Sequence, residues 1–173
     1  MLRRNILLMS GLAAVSASTI LTACGGNSDM DKDLFELVRS NTDLSVLGDA
    51  IVAANLEATF QANTSYTLFA PNNAAFVAAL AELGMTKEQL FADKALLSAV
   101  LSYHLLPGKI NFGDIPLNTP LKTVQGATVK VDSVSGSLII TDARNRKSRI
   151  IQPNLEASNG VVHVVDKVIL PPV

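Results

Sequence analysis

The apolar residues of this chain change period part-way along it. Between Asp33 and Phe60, the residues Leu34, Leu37, Val38, Leu44, Leu47, Ile51 and Ala54 recur at steps of three and four, as one buried helix face requires. From His104 onward the step is two: Val129 and Val131 alternate with Thr128, Lys130 and Asp132, and Leu138 to Thr141 repeats the pattern. Helices gathered ahead of strands, without βαβ alternation, specify an α+β domain and argue against a doubly wound nucleotide-binding sheet. The punctuation agrees. Asn41 or Asp43 is placed to cap a second helix, Ser65 to Ala70 reads as a short strand stopped by Pro71, and Asn72 or Asn73 stands where the next helix needs a cap. Gly84 ends that helix, Thr86 with Gln89 forms a capping-box pattern, and Asp93 opens a helix through Leu101. Ser135-Gly136 and Asn159-Gly160 are turn signals, the second supplying the backbone angles of a tight turn. Val161 to Leu170, broken only by His163, Asp166 and Lys167, reads as a strand covered on both faces.

Residues 1–23 read as an address. Arg3 and Arg4 precede the apolar run that includes Ile6, Leu7, Leu8, Met9 and Leu12, and no charge follows until Asp29. Length alone would permit a membrane span, but Ser10, Gly11, Ser16, Ser18, Thr19 and Thr22 dilute the run. It ends in Leu21-Thr22-Ala23-Cys24-Gly25, which resembles the lipobox of bacterial lipoproteins at all four positions. That resemblance implies cleavage of the signal peptide before Cys24, a diacylglycerol on its sulfur and a further acyl chain, palmitate for example, on its new amine. Two or more chains anchor stably where one is marginal, each buried methylene contributing about 0.8 kcal/mol. Residues 24–30 are then the lipidated cysteine and a flexible tether, and residues 31–173 the folded domain. The expected location is a bacterial cell envelope, and Gly25 resembles the outer-membrane sorting pattern for a cell with two membranes.

One cysteine in 173 residues excludes an intramolecular disulfide and a Cys-rich metal site, so stability must come from a packed core. Loss of Arg3 and Arg4 leaves 12 basic residues against 15 acidic, a charge of −3, which gives no overall field for nucleic acid or anionic lipid. A hydrolase would have only His104 and His163 as imidazole bases, and no serine lies in a G-x-S-x-G context. H-E-x-x-H spacing and phosphate-cradling glycine loops are missing from the sequence. We therefore expect no catalytic residue, no metal, no cofactor and no nucleic-acid partner.

Two segments carry a family resemblance. Thr67-Leu68-Phe69-Ala70-Pro71-Asn72-Asn73-Ala74-Ala75-Phe76 resembles the first motif of fasciclin domains, and the run from Asn159 through His163 to Pro171 resembles the second. Tyr103-His104 falls between them, where that family carries its Tyr-His pair. The resemblance spans Asp31 to Pro171 and implies a fasciclin-like wedge of short β-strands with several α-helices packed at one end. It also implies adhesion or matrix contact, with the Tyr-His pair associated with receptor recognition. Leu101, Leu105 and Leu106 argue instead for a buried pair that must find hydrogen-bond partners, and both readings stay open here. The loop holding Pro107, Gly108, Lys109, Ile110 and Phe112 is a second candidate contact. Arg144, Arg146, Lys147 and Arg149 put four positive charges within six residues, either a basic patch for an acidic glycan, lipid head group or nucleic acid, or a solvated hairpin tip. The expected function is that of an envelope lipoprotein in noncovalent contact with a surface or matrix protein or glycan. The alternatives are a small-molecule or lipid carrier with an apolar pocket and, behind it, an envelope hydrolase.

Overall fold

The computed structural model describes residues 31–172. The expected signal peptide (residues 1–23) and the expected lipidated Cys24 and tether (residues 24–30) lie outside them. Six helices are interrupted by one strand: α1 (Leu34–Ser40), α2 (Ser45–Ala53), α3 (Glu57–Phe60), β1 (Tyr66–Pro71), α4 (Asn73–Leu83), α5 (Lys87–Ala92) and α6 (Lys94–Tyr103). Six further strands follow: β2 (Leu105–Pro107), β3 (Pro120–Lys122), β4 (Thr128–Val134), β5 (Ser137–Thr141), β6 (Lys147–Ala157) and β7 (Gly160–Val165).

Side-chain caps set most of the helix starts. Asp33 accepts from the Glu36 amide, Asp93 from Leu96, and Thr86 and Gln89 exchange both bonds of a capping box. The two asparagines after Pro71 divide the work. Asn72 caps α4 through the Ala75 amide, whereas Asn73 reaches to another helix, accepting from the Val46 amide at 3.0 Å and donating to the Thr42 carbonyl at 2.9 Å. The start of α2 has no side-chain cap of its own, so Asn73 supplies one from a distance and ties α4 to α2. Gly84, at φ 63°, ends α4 in the left-handed region that glycine tolerates.

The strands form one sheet in the order β2-β1-β7-β6-β5-β4-β3, in which β1 and β7 are parallel and every other pair antiparallel. Its ends approach each other: the Val124 amide, just past β3, donates to the Leu105 carbonyl of β2 at 2.8 Å, so the sheet curls almost into a barrel. Two cores result. Leu68, Ala70, Val162 and Val164 face the helices and join Leu34, Leu47, Phe60 and Leu97. Phe69 and Val165 point the other way, into the curl, where they meet Tyr103, Val129, Val131, Ile140 and Ile150. Strands β1 and β7 separate the two cores. That is why every residue of β7 is buried, against the half-solvated alternation of β4. β6 is irregular at its middle, where Pro153 lacks an amide hydrogen and Asn154 sits at φ 57°.

Candidate functional site

The Tyr-His pair lies at the end of α6, and the structure places it inside. Tyr103 is 0% exposed and His104 1%. The Tyr103 hydroxyl donates to the Thr128 carbonyl at 2.8 Å and accepts from the Ala143 amide at 3.0 Å, bridging β4 to the β5–β6 hairpin. Burial, ahead of every other influence, pushes the phenol above its ordinary pKa. His104 Nδ1 donates to the Val100 carbonyl at 2.7 Å, and Nε2 accepts from the Ile169 amide at 3.1 Å, an arrangement only the neutral Nδ1–H tautomer satisfies. Burial lowers its pKa to about 4. Neither side chain presents surface to a partner. The direct-contact reading of Tyr103 and His104 is corrected accordingly: this pair is internal framing.

His163 is buried too. Its Nδ1 accepts from the Asn154 amide at 3.2 Å and its Nε2 donates to the Ile110 carbonyl at 2.9 Å. Both imidazoles thus have both nitrogens engaged with backbone. Neither is free to shuttle a proton.

The contacts of His163 lead to the loop between β2 and β3. Here Pro107, Gly108 and Lys109 are exposed, Ile110 and Phe112 half-buried, and Ile115 buried. The loop is fastened at Gly108, Lys109, Ile110 and Phe112. Thr67 Oγ1 donates to the Gly108 carbonyl and accepts from the Ile110 amide, the Phe112 amide donates to Asn154 Oδ1 at 2.8 Å, and Lys109 pairs with Glu156 at 3.0 Å. A hinge over the core is not what these bonds make. They display Pro107 to Lys109 on a fixed shelf, with Ile110 and Phe112 turned partly inward.

The four positive charges of the β5–β6 hairpin do not act together. Arg146 donates Nε to Asp142 at 3.0 Å, Nη1 to Glu82 at 2.5 Å and Nη2 to the Val168 carbonyl at 2.6 Å, while Arg144 Nε reaches the Pro171 carbonyl at 2.9 Å. The buried Asp142 carboxylate also accepts from the amides of Arg144, Arg146 and Leu170. Two of the four guanidinium and ammonium groups are therefore rivets that hold the 168–171 segment, and only Lys147 and Arg149 remain exposed. The basic patch as a unit of four is corrected to this pair. Nothing in the spacing of the sequence separates the two riveting arginines from the two free cations.

Asn159 also differs from expectation. Gly160 does not adopt a positive φ, and it is needed because a Cβ there would overlap the Tyr66 carbonyl oxygen where β7 lies against β1. Asn159 accepts from the Leu34 amide at 2.8 Å and donates to the carbonyls of Phe60 and Ala62, locking α1 and α3 to the sheet.

A groove of about 580 Å³ between α1, α2 and α5 is open to solvent and crossed by the Lys87–Asp49 ion pair at 3.1 Å. Its rim is charged, unlike the enclosed apolar pocket a lipid carrier needs. Among the described residues no group of His, Cys, Asp and Glu is arranged to hold a metal ion, and no helix is long and apolar enough to cross a membrane.

The family model described as "Fasciclin domain" matches residues 42–171. The chain belongs to the fasciclin domain family. Protein sll1483 of Synechocystis is 30% identical over 165 residues, covering 95% of this chain and 86% of that protein. The cell surface glycolipoprotein MPB83 of Mycobacterium bovis is 33% identical over 107 residues, covering 62% of this chain and 44% of that one. A solved domain pair from the insect cell adhesion molecule Fasciclin I shares the fold with a TM-score of 0.73 at 16% identity, over 82% of this chain and 51% of that chain. In this fasciclin domain the two motif segments are neighbours: β1 carries the first, β7 the second, and they pair in parallel from Tyr66–Gly160 to Pro71–Val165. His104 completes the junction, its carbonyl accepting from Phe69 of the first and its Nε2 from Ile169 of the second.

Proposed function

We propose that this fasciclin domain is held at a bacterial cell envelope by acyl chains on Cys24 and makes noncovalent contact with a protein or glycan of a neighbouring surface or matrix. The observation that carries the reading is the pairing of a full lipobox, at the chain's single cysteine, with a fasciclin domain whose α1 begins only ten residues later. A relative named as a cell surface glycolipoprotein and a solved relative named as a cell adhesion molecule support it. The contact surface in this reading is the fastened shelf from Pro107 to Phe112. Rigid display favours it, because little conformational entropy is lost when a fixed loop binds. The test is made in a bacterial host fed radiolabelled palmitate. The wild-type chain takes up label and sediments with membranes, Cys24→Ala does neither, and Lys109→Ala with Phe112→Ala reduces attachment of displaying cells to a matrix-coated surface. Unlabelled wild-type protein would refute the anchor, and undiminished attachment by the loop variant would refute the shelf as contact.

A further inference from the structure

Charge is distributed unevenly through the fold. Residues 31–93 hold three basic residues against nine acidic, a net of −6, and residues 94–172 hold nine against five, a net of +4. Four of those nine basic residues share one surface. In the register of β3 to β6, Pro120, Lys130, Thr141 and Lys147 stand opposite one another across four strands. Asp132, Ile139 and Arg149 form the next row, and Lys122 with Thr128 the row on the other side. Residues paired across strands share a face. Their sequence neighbours Val129, Val131, Ile140, Ser148 and Ile150 are buried in the curl, so these rows are the outer face of the sheet. Lys122, Lys130, Lys147 and Arg149 are exposed there against one acid within the rows, Asp132, which pairs with Lys130 at 3.3 Å, and one at their edge, Asp166, whose carboxylate accepts from the Arg149 amide at 2.7 Å. Among the described residues Lys122, Lys147 and Arg149 have no carboxylate partner.

We infer that this outer face is a docking surface for an acidic polysaccharide. The inference rests on the surface-contact reading above and adds a surface separate from the Pro107–Phe112 shelf. Four cations on the outer, uncovered face of the curled sheet, about 10 Å apart across two strand spacings and about 7 Å apart along a strand, match an extended chain with repeating negative charge. The hydroxyls of Thr128, Thr141 and Ser137 lie on the same face, where they can bond to sugar hydroxyls. No aromatic residue stands in these rows, so bases have nothing to stack on and a protein partner no large anchor to receive. The apolar members are few, Pro120 at one edge, the half-buried Ile139 in the middle row and the exposed Val134 and Ile151, too little to seat the face in a bilayer. The acidic helical half repels the same polyanion, which orients the domain sheet-first.

The test uses the chain from residue 24 onward with Cys24→Ala, which keeps every residue of the folded body and removes acylation from the assay. It should bind alginate and not dextran, with an affinity falling as salt rises at a log–log slope of about −2 to −3, as three or four ion contacts predict. Lys147→Gln with Arg149→Gln should weaken alginate binding about tenfold. The charge-matched pair Lys87→Gln with Lys94→Gln should leave it within about twofold. Equal retention on dextran, an absence of alginate binding at low salt, or equal loss in both variant pairs would each overturn the inference. So would tighter binding to phosphatidylglycerol vesicles or to oligothymidylate than to alginate. A missing acyl group at Cys24 or an inert Pro107–Phe112 shelf would sink the earlier reading and leave this result standing.

Discussion

Acid should unfold this domain through His104 in a way that can be isolated. The imidazole donates to Val100 and accepts from Ile169, so a second proton on Nε2 would set two donors face to face in a site that is 1% exposed. Burial is the main reason its folded pKa falls to about 4 from the ordinary 6.5, and Arg146 adds to the depression against the opposing Val100 carbonyl and Asp142. The unfolded chain binds the proton first. His104 therefore costs nothing above about pH 6.5, costs progressively more as pH falls toward 4, and levels off below that. At 1.36 kcal/mol per unit the full penalty is about 3 kcal/mol, most of which is reached by pH 4.5. The assay is urea unfolding at pH 7.5 and pH 4.5, followed by far-ultraviolet circular dichroism because the chain has no tryptophan. In His104→Gln, which keeps a donor and an acceptor but cannot titrate, the loss between the two pH values should be smaller by about 2–3 kcal/mol. His163, also depressed chiefly by burial, and the carboxylates are common to both proteins and cancel in the difference. Parallel losses to within about 0.5 kcal/mol would show that His104 titrates alike in both states and refute the reasoning.

Four substitutions test the framing directly. Tyr103→Phe leaves the Thr128 carbonyl and the Ala143 amide without their partner and should cost about 2–3 kcal/mol in urea unfolding, while folded variant still attaches to matrix as the parent does. An unchanged midpoint would deny the bridge. Gly160→Ala forces a Cβ into the Tyr66 carbonyl and should cost about 3 kcal/mol, with faster amide exchange along β1 and β7; a loss below about 1 kcal/mol would mean the strands separate freely. Asn73→Ala should cost about 1 kcal/mol and loosen amide protection at the start of α2, a helix remote in sequence, whereas Asn72→Ala should do so at α4.

The class of fold was legible because it depends on period and punctuation, which are local. The helix caps at Asp33, Thr86 and Asp93 and the Ser135-Gly136 turn stand where the sequence reading puts them, since each depends on residues three or fewer positions apart. Long-range partnerships were not legible. Asn73 caps a helix 27 residues earlier, Asn159 binds Leu34 across 125 positions, and Asp142 gathers Leu170, and no periodicity announces such pairs. The hairpin charges show the same limit: Arg144 and Arg146 look like Lys147 and Arg149 until the 168–171 segment folds back over them.

The parts of the chain by which a fasciclin domain is recognised are the parts least able to meet a partner. β1 and β7 are buried on both faces, His104 stitches β1 to the segment after β7, and Tyr103 bridges β4 to the β5–β6 hairpin. Substituting Tyr103 or His104 would therefore reduce binding by lowering the folded population, and a loss of attachment alone would mislead. A contact residue and a framing residue differ in one measurable respect. For the framing residue, attachment per folded molecule stays constant while stability falls; for a proposed contact residue such as Lys109 or Arg149, the expectation is that stability holds while attachment falls. Partner chemistry must be sought on surfaces that the shared motifs support without forming, which in this chain are the fastened shelf and the cationic outer face of the sheet.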